Sequence, residues 1–141
     1  FHNVSFVLRE FLHRLALQAP LEQPTDVAVT LDGTVYAVDL RRRVVQFDAT
    51  GRIAREWTLP VGTSRGGSHL AVWNNLLAVT NPDENSLRFL DLMAGVVRGF
   101  APPAQPPFAL YVPVGVAAGP DGRLYVLDSD GGRVAIVTLR P

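Results

Sequence analysis

The sequence has no cysteine. Disulfides and thiolate metal sites are thereby excluded, while the absence fits any compartment. It also lacks an excess of either charge. Thirteen Lys and Arg are balanced by thirteen Asp and Glu, for a formal charge of zero. A neutral domain sets up no overall field that draws in nucleic acid or an anionic membrane. No apolar run reaches the length of a bilayer span. Histidine is scarce, with only His2, His13 and His69, and these have no mutual ligand spacing. A metal site needs convergent donors, and none is written here. No Gly-x-Ser-x-Gly elbow surrounds Ser64 or Ser68. Gly66-Gly67 is read as loop, because no phosphate cradle lies between a strand and a helix there. The first residue is Phe1, which suggests a processed form, an excised domain or part of a longer chain. Targeting information need not be present in such a piece.

What is present is the material of one folded domain. The 141 residues are 48% hydrophobic and 18% charged, which argues against disorder. Residues 1–23 differ in texture from the rest. Val4, Leu8, Phe11, Leu12 and Leu15 fall on one helical stripe, with Arg9, Glu10, His13 and Arg14 largely off it. Pro20 stops a helix. The spacing predicts a helix over about Ser5–Gln18 that packs its stripe on the main body. A strand through Val4, Phe6 and Leu8 is the rival.

From Pro24 the texture is β. Short runs rich in strand formers are separated by Asp-Gly, Gly-Gly and Pro-Asp-Gly turns, which supply the positive-φ positions of tight hairpins. The expected strands are Asp26–Thr30, Thr34–Asp39, Val44–Asp48 and Ile53–Leu59, then Ser68–Trp73, Leu76–Thr80, Ser86–Asp91 and Val96–Phe100. Three more follow at Val114–Ala118, Leu124–Asp128 and Val134–Leu139. Ala101–Pro107 is rich in proline and reads as an extended spacer. The pattern repeats. Val27-Ala-Val29, Leu70-Ala-Val72 and Val116-Ala-Ala118 are equivalent and stand 43 and 46 positions apart. So are Tyr36-Ala-Val-Asp39, Leu77-Ala-Val-Thr80 and Tyr125-Val-Leu-Asp128. So are Val45–Asp48, Arg88–Asp91 and Ala135–Thr138. A period near 45 with four strands per unit is that of propeller blades. The fold class is therefore all-β, a partial β-propeller of about three four-stranded antiparallel blades with an N-terminal helical segment. The blades are placed at 24–60, 65–100 and 113–141.

The segment beginning Pro113-x-Gly-Val-Ala-x-x-Pro-Asp-Gly-x-Leu-Tyr-Val-x-Asp, with Arg133-Val134 following, resembles the NHL repeat of β-propellers. Pro24–Asp48 resembles it as closely, and the middle copy is degenerate. The resemblance implies a ring that usually closes with about six blades. This chain supplies two full blades and three strands of another. Further blades or partner subunits are then expected to cover its open ends, since bare sheet edges are avoided. Phe1–Leu8 donating the missing strand is a minor alternative.

NHL propellers include scaffolds, RNA binders and enzymes, so the resemblance leaves function open. The expected role is non-catalytic, a protein-interaction or assembly module within a larger protein or complex, with no cofactor. Its tentative contact residues are Arg41, Arg42, Arg43, Arg65 and His69, on loops 40–43 and 60–67 and at the start of an inner strand. Loops 81–85 and 101–107 are further contact candidates. Asn81–Asn85 is acidic and reads as a plain turn rather than a calcium loop. Asp39 with Arg43, and Asp128 with Arg133, recur in the repeat and are read as structural clasps. Each Asp is expected to accept from backbone N–H groups of its loop or to pair with its Arg. The alternative is a propeller enzyme of lactonase or lyase type. The resemblance would give that enzyme a divalent metal in the central channel, where Asp26 and His69 lie near the ends of inner strands. A third reading is RNA binding through Arg41–Arg43. No residue is assigned a catalytic or metal-ligating role.

Overall fold

The computed structural model describes residues 21–63, 66–100 and 109–138, with backbone only for 98–100. The proposed N-terminal helix, the donated strand at 1–8, Arg65 and the proline-rich spacer lie outside the described residues. Among the described residues eleven strands form three antiparallel sheets. The first sheet holds β1 (Pro24–Val29), β2 (Val35–Asp39), β3 (Arg43–Phe47) and β4 (Ile53–Thr58). The second holds β5 (Leu70–Trp73), β6 (Leu76–Asn81), β7 (Ser86–Asp91) and β8 (Val97–Phe100). The third holds β9 (Pro113–Ala118), β10 (Leu124–Asp128) and β11 (Arg133–Val137). In each sheet strands pair in chain order, as a meander built on tight turns must.

Local chemistry explains the turns. Gly33 and Gly122 take φ of +86° and +78° in equivalent hairpins, where any side chain would be strained. Asp side chains close several turns from within. The Oδ1 of Asp48 accepts from the backbone N–H of Thr50 and of Arg52 at 2.9 and 3.0 Å. The Asp91 Oδ1 does the same for Met93 and Ala94 at 3.0 Å.

Alternation along the strands gives each sheet two apolar faces, and the sheets stack through them. Tyr36, Val38 and Val44 of the first sheet pack on Leu70, Leu77, Val79 and Leu90 of the second. On its other side the second sheet offers Ala71, Trp73, Ala78, Leu87 and Phe89 to Leu124 and Val126 of the third. Polar fasteners cross both junctions. The Thr25 hydroxyl donates to the Ser68 carbonyl at 2.6 Å, and the Thr80 hydroxyl to that of Val114 at 2.7 Å. Two indoles also cross: Trp57 Nε1–H donates to the Gly95 carbonyl at 3.2 Å, and Trp73 Nε1–H to that of Gly122 at 3.0 Å. Gly67 sits against Thr25 at the junction of the first two sheets. A Cβ there would stand 2.8 Å from Thr25 Cγ2.

One correction concerns the middle copy. The ladders set Ala28 opposite Tyr36, Ala117 opposite Tyr125, and Ala71 opposite Ala78. The counterpart of Tyr36 is therefore Ala78, one place beyond Leu77. The counterpart of Asp39 and Asp128 becomes Asn81 rather than Thr80. Matching side-chain types had favoured the wrong register, because the two-residue turn Asn74-Asn75 shortens this hairpin. A one-residue slip would turn every side chain of β6 to the other face, so burial holds the observed register.

Candidate functional site

Three equivalent polar groups end the second strand of each sheet, and all three are buried. The Asp39 Oδ1 accepts from the backbone N–H of Arg41 and Arg43 at 3.0 and 3.1 Å. Its Oδ2 accepts from the N–H of Glu22 at 3.2 Å, holding the chain that leads into β1. The Asp128 Oδ1 accepts from the N–H of Tyr111 at 2.6 Å, two residues before β9, as Glu22 is before β1. Its Oδ2 meets Arg133 Nε at 3.2 Å. Arg133 also donates to the Ala109 carbonyl. Asn81 occupies the middle position and uses both faces of its amide. Its Oδ1 accepts from the N–H of Asp83 at 3.1 Å, and its Nδ2 donates to the Pro60 carbonyl at 3.0 Å. At all three positions the group ties a hairpin to the connection arriving from another part of the chain.

The arginine run is divided by the fold. Arg41 is exposed and pairs with Glu22 at 2.8 Å. Arg43 meets Glu56 at 3.1 Å. Arg42 differs from the loop contact residue expected of it. It has φ of +63°, its side chain is 1% exposed, and its Nε pairs with Asp83 Oδ2 at 2.9 Å. Its Nη1 donates to Ser68 Oγ at 3.2 Å. The turn folds Arg42 inward across the junction of the first two sheets. It therefore presents no contact surface of its own, while Arg41 of the same run stays exposed.

Asp26 and His69 stand at equivalent places on consecutive inner strands, and the stacking brings them together. Asp26 Oδ2 lies 3.3 Å from His69 Nδ1 and accepts from the N–H of Leu70 at 2.8 Å. The third member of that series is Gly115, which adds no donor. Among the described residues no three His, Asp or Glu side chains converge as a metal site. Each polar residue of the acidic turn 82–85 is engaged: Glu84 grips Arg88 at 2.7 and 2.8 Å and accepts from Ser86, Asp83 holds Arg42 of the first sheet, and the Asn85 Oδ1 accepts from the N–H of Val112 at 2.8 Å. The Arg88 hydrogen bonds hold the Glu84 carboxyl below its ordinary range against a smaller opposing push from burial. A polar depression of about 640 Å³ lies beside this turn, lined by Thr63, Asp83, Asn85, Ser129 and Asp130 among others.

Among the described residues an apolar face of the third sheet is left uncovered. The three sheets place Val44, Leu87 and Val134 at one equivalent position on the face turned toward the next sheet. The first two are 2% and 0% exposed, while Val134 is 57% exposed. Leu127 and Ile136 on the same face of the third sheet are 49% and 52% exposed. Sequence reasoning foresaw open ends but named none of these residues. Asn81 and Asp83 were likewise missed as fasteners. The signal for Asn81 was its place at the end of a strand ahead of a polar turn. For Asp83 there was none, because its partner lies 41 residues away.

Residues 110–137 match the NHL repeat. No curated protein is similar enough in sequence to serve as a relative. Among solved structures, the chain is similar to virginiamycin B lyase from Staphylococcus aureus at 19% identity and a TM-score of 0.60. The match covers 84% of this chain and 42% of that one. It is also similar to a Thermus thermophilus protein assigned as an oxidoreductase (glucose dehydrogenase), at 23% identity and a TM-score of 0.64. That match covers 86% of this chain and 45% of the other. The WD40 repeats of RRP9 align at 12% identity with a TM-score of 0.53, covering 87% and 41%. The chain thus spans less than half the length of each of these structures, and at these identities the likeness speaks for the fold alone. The stacked meanders have the fold of a partial β-propeller, and residues 110–137 within them are similar to the NHL repeat.

Proposed function

We propose that this chain is a non-catalytic interaction and assembly module, a set of propeller blades that works inside a larger protein or complex. The observation that carries the reading is the uncovered face of the third sheet, with Leu127, Val134 and Ile136 about half exposed. Equivalent faces of the first and second sheets are buried under the sheet that follows. An apolar sheet face of this kind marks a contact surface. The polar groups nearby are engaged with one another, which leaves them structural. The test is dye binding at nanomolar dilution. Purified chain is expected to bind bis-ANS, and Leu127→Asp with Ile136→Asp to lose most of that signal. A chain that binds no dye has no such face to offer, and the reading falls.

The second reading, an enzyme of lactonase or lyase type, is favoured by Asp26 against His69 and by the fold likeness to a lyase. A carboxylate on Nδ1 fixes an imidazole so that Nε2 can take or give a proton. The donors do not fit a divalent metal, because two side chains without a third make an incomplete set. Elemental analysis after dialysis against Mg²⁺ or Zn²⁺ separates the readings. A stoichiometric ion lost in Asp26→Asn would favour the enzyme.

A further inference from the structure

Among the described residues every Asp and Glu side chain but one accepts a hydrogen bond or meets a cation. The exception is Asp130, exposed in the turn between β10 and β11. Its backbone N–H donates to the Tyr111 carbonyl at 3.0 Å, and its carboxylate is unspent. That carboxylate lines the polar depression of about 640 Å³. Beside it stand the Ser129 and Thr63 hydroxyls and the Asn85 Nδ2, which take no hydrogen bond among the described residues. Asp83 lines the depression too, but Arg42 neutralises it. The described lining thus carries one uncompensated negative charge. The rest of the lining is apolar and firmly held. A Cβ on Gly66 would stand 2.9 Å from Val114 Cγ1 and 3.3 Å from Pro82, so the loop lies directly on both. Val112 is fixed from two sides. Its N–H donates to Asn85 Oδ1 at 2.8 Å, and its carbonyl accepts from the Ser129 N–H at 3.1 Å. The walls are therefore in place before any ligand arrives, as in most binding sites.

We infer that this depression receives an arginine side chain of a partner protein. The inference rests on the interaction reading above and gives it a second surface, apart from the apolar face. The chemistry that fits is a cation on an aliphatic stem. A guanidinium presents five N–H donors in one plane. The two oxygens of Asp130 accept a pair of them side by side, and the Ser129 and Thr63 hydroxyl oxygens serve the others. The stem lies on Val112, Val114 and Pro82, as long cationic side chains lie on apolar surface. Lysine fits less well, because its ammonium is a strongly hydrated point charge without the planar fork. An acidic ligand would be repelled by Asp130, and an apolar one would cover that charge without pairing it.

Amide NMR titration of the isotope-labelled chain with N-acetyl-arginine methylamide tests this. Saturable shifts are expected at Asn85, Val112, Ser129 and Asp130, with a dissociation constant of about 1–10 mM for so small a probe. The citrulline analogue has the same shape without the charge and should bind at least tenfold more weakly. The lysine analogue should bind several-fold more weakly. Asp130→Asn should weaken arginine binding at least tenfold, and Asp130→Glu should keep most of it. Asp32→Asn, in the β1–β2 turn, should change nothing. The Asp130 side chain is exposed and holds no other group, so neither Asp130 variant should melt differently from the unaltered chain. Should Asp130→Asn misfold, Thr63→Ala with Ser129→Ala replaces it, with several-fold weaker binding expected. Citrulline or lysine analogues that bind as tightly as arginine overturn the inference. So does arginine binding that survives Asp130→Asn. A chain that takes no arginine yet binds the dye loses this site and keeps the interaction reading, whereas a chain that binds neither loses both.

Discussion

Arg42 of the first sheet and Asp83 of the second meet at 2.9 Å, with side chains 1% and 3% exposed. The pair locks the β2–β3 turn to the β6–β7 turn, and Ser68 takes a further guanidinium hydrogen. A buried pair adds little beyond what apolar packing would give, but breaking it strands a charge. Asp83→Ala is therefore expected to cost about 3 kcal/mol, and Arg42→Met with Asp83→Leu much less than that. Urea unfolding of both variants checks the difference. Equal losses would place the stabilisation elsewhere.

The clasp at the end of the second strand gives a sharper test. Asp128→Ala removes the acceptor of the Tyr111 N–H and the carboxylate that meets Arg133 Nε. The melting temperature should fall by about 5 °C or more. An unchanged melting curve would count against the clasp.

Asn81 predicts an asymmetry. Aspartate serves at both equivalent positions, yet Asn81→Asp should destabilise the protein. It would set a carboxylate oxygen against the Pro60 carbonyl, where the Nδ2 now donates. The expected loss is about 1–3 kcal/mol, the cost of a buried acceptor with no donor. Calorimetry of this variant beside wild type measures it.

Glu84 sets a pH dependence. Its folded carboxyl lies below the ordinary 4.5, chiefly through the Arg88 hydrogen bonds. A depressed value stabilises the fold above the unfolded value and ceases to do so as pH falls through the folded one. Glu84→Gln should thus be less stable than wild type at neutral pH, by about 1 kcal/mol. The gap should close on acidification below about pH 4. Denaturant titrations at the two pH values read it out, and a gap independent of pH would assign the loss to packing.

Hairpin glycines give the last expectation. Gly122→Ala meets no atom within 4 Å, so only its φ of +78° resists the change. About 1–2 kcal/mol should be lost, the penalty of a side chain in the left-handed region. Calorimetry beside wild type checks this.

The strands were legible because two-residue alternation and Asp-Gly turns are local signals. Their order within each sheet followed from turns too short to allow a crossover. The register of β6 was not legible. Leu77-Ala-Val-Thr80 matches Tyr36-Ala-Val-Asp39 in chemistry, and only cross-strand pairing shows it to be one place out. The arginine run shows the same limit. Three consecutive arginines look alike in a sequence, and burial of the middle one depends on an aspartate from another blade.

By itself the sequence determined a repeating unit of hairpins with two apolar faces, since hydrogen-bonded turns and alternation act between near neighbours. Tertiary structure decided which faces are covered, which polar groups are fasteners, and which apolar side chains are left for a partner. Those outcomes depend on groups some forty residues apart meeting across a junction, and stacking alone sets their distance.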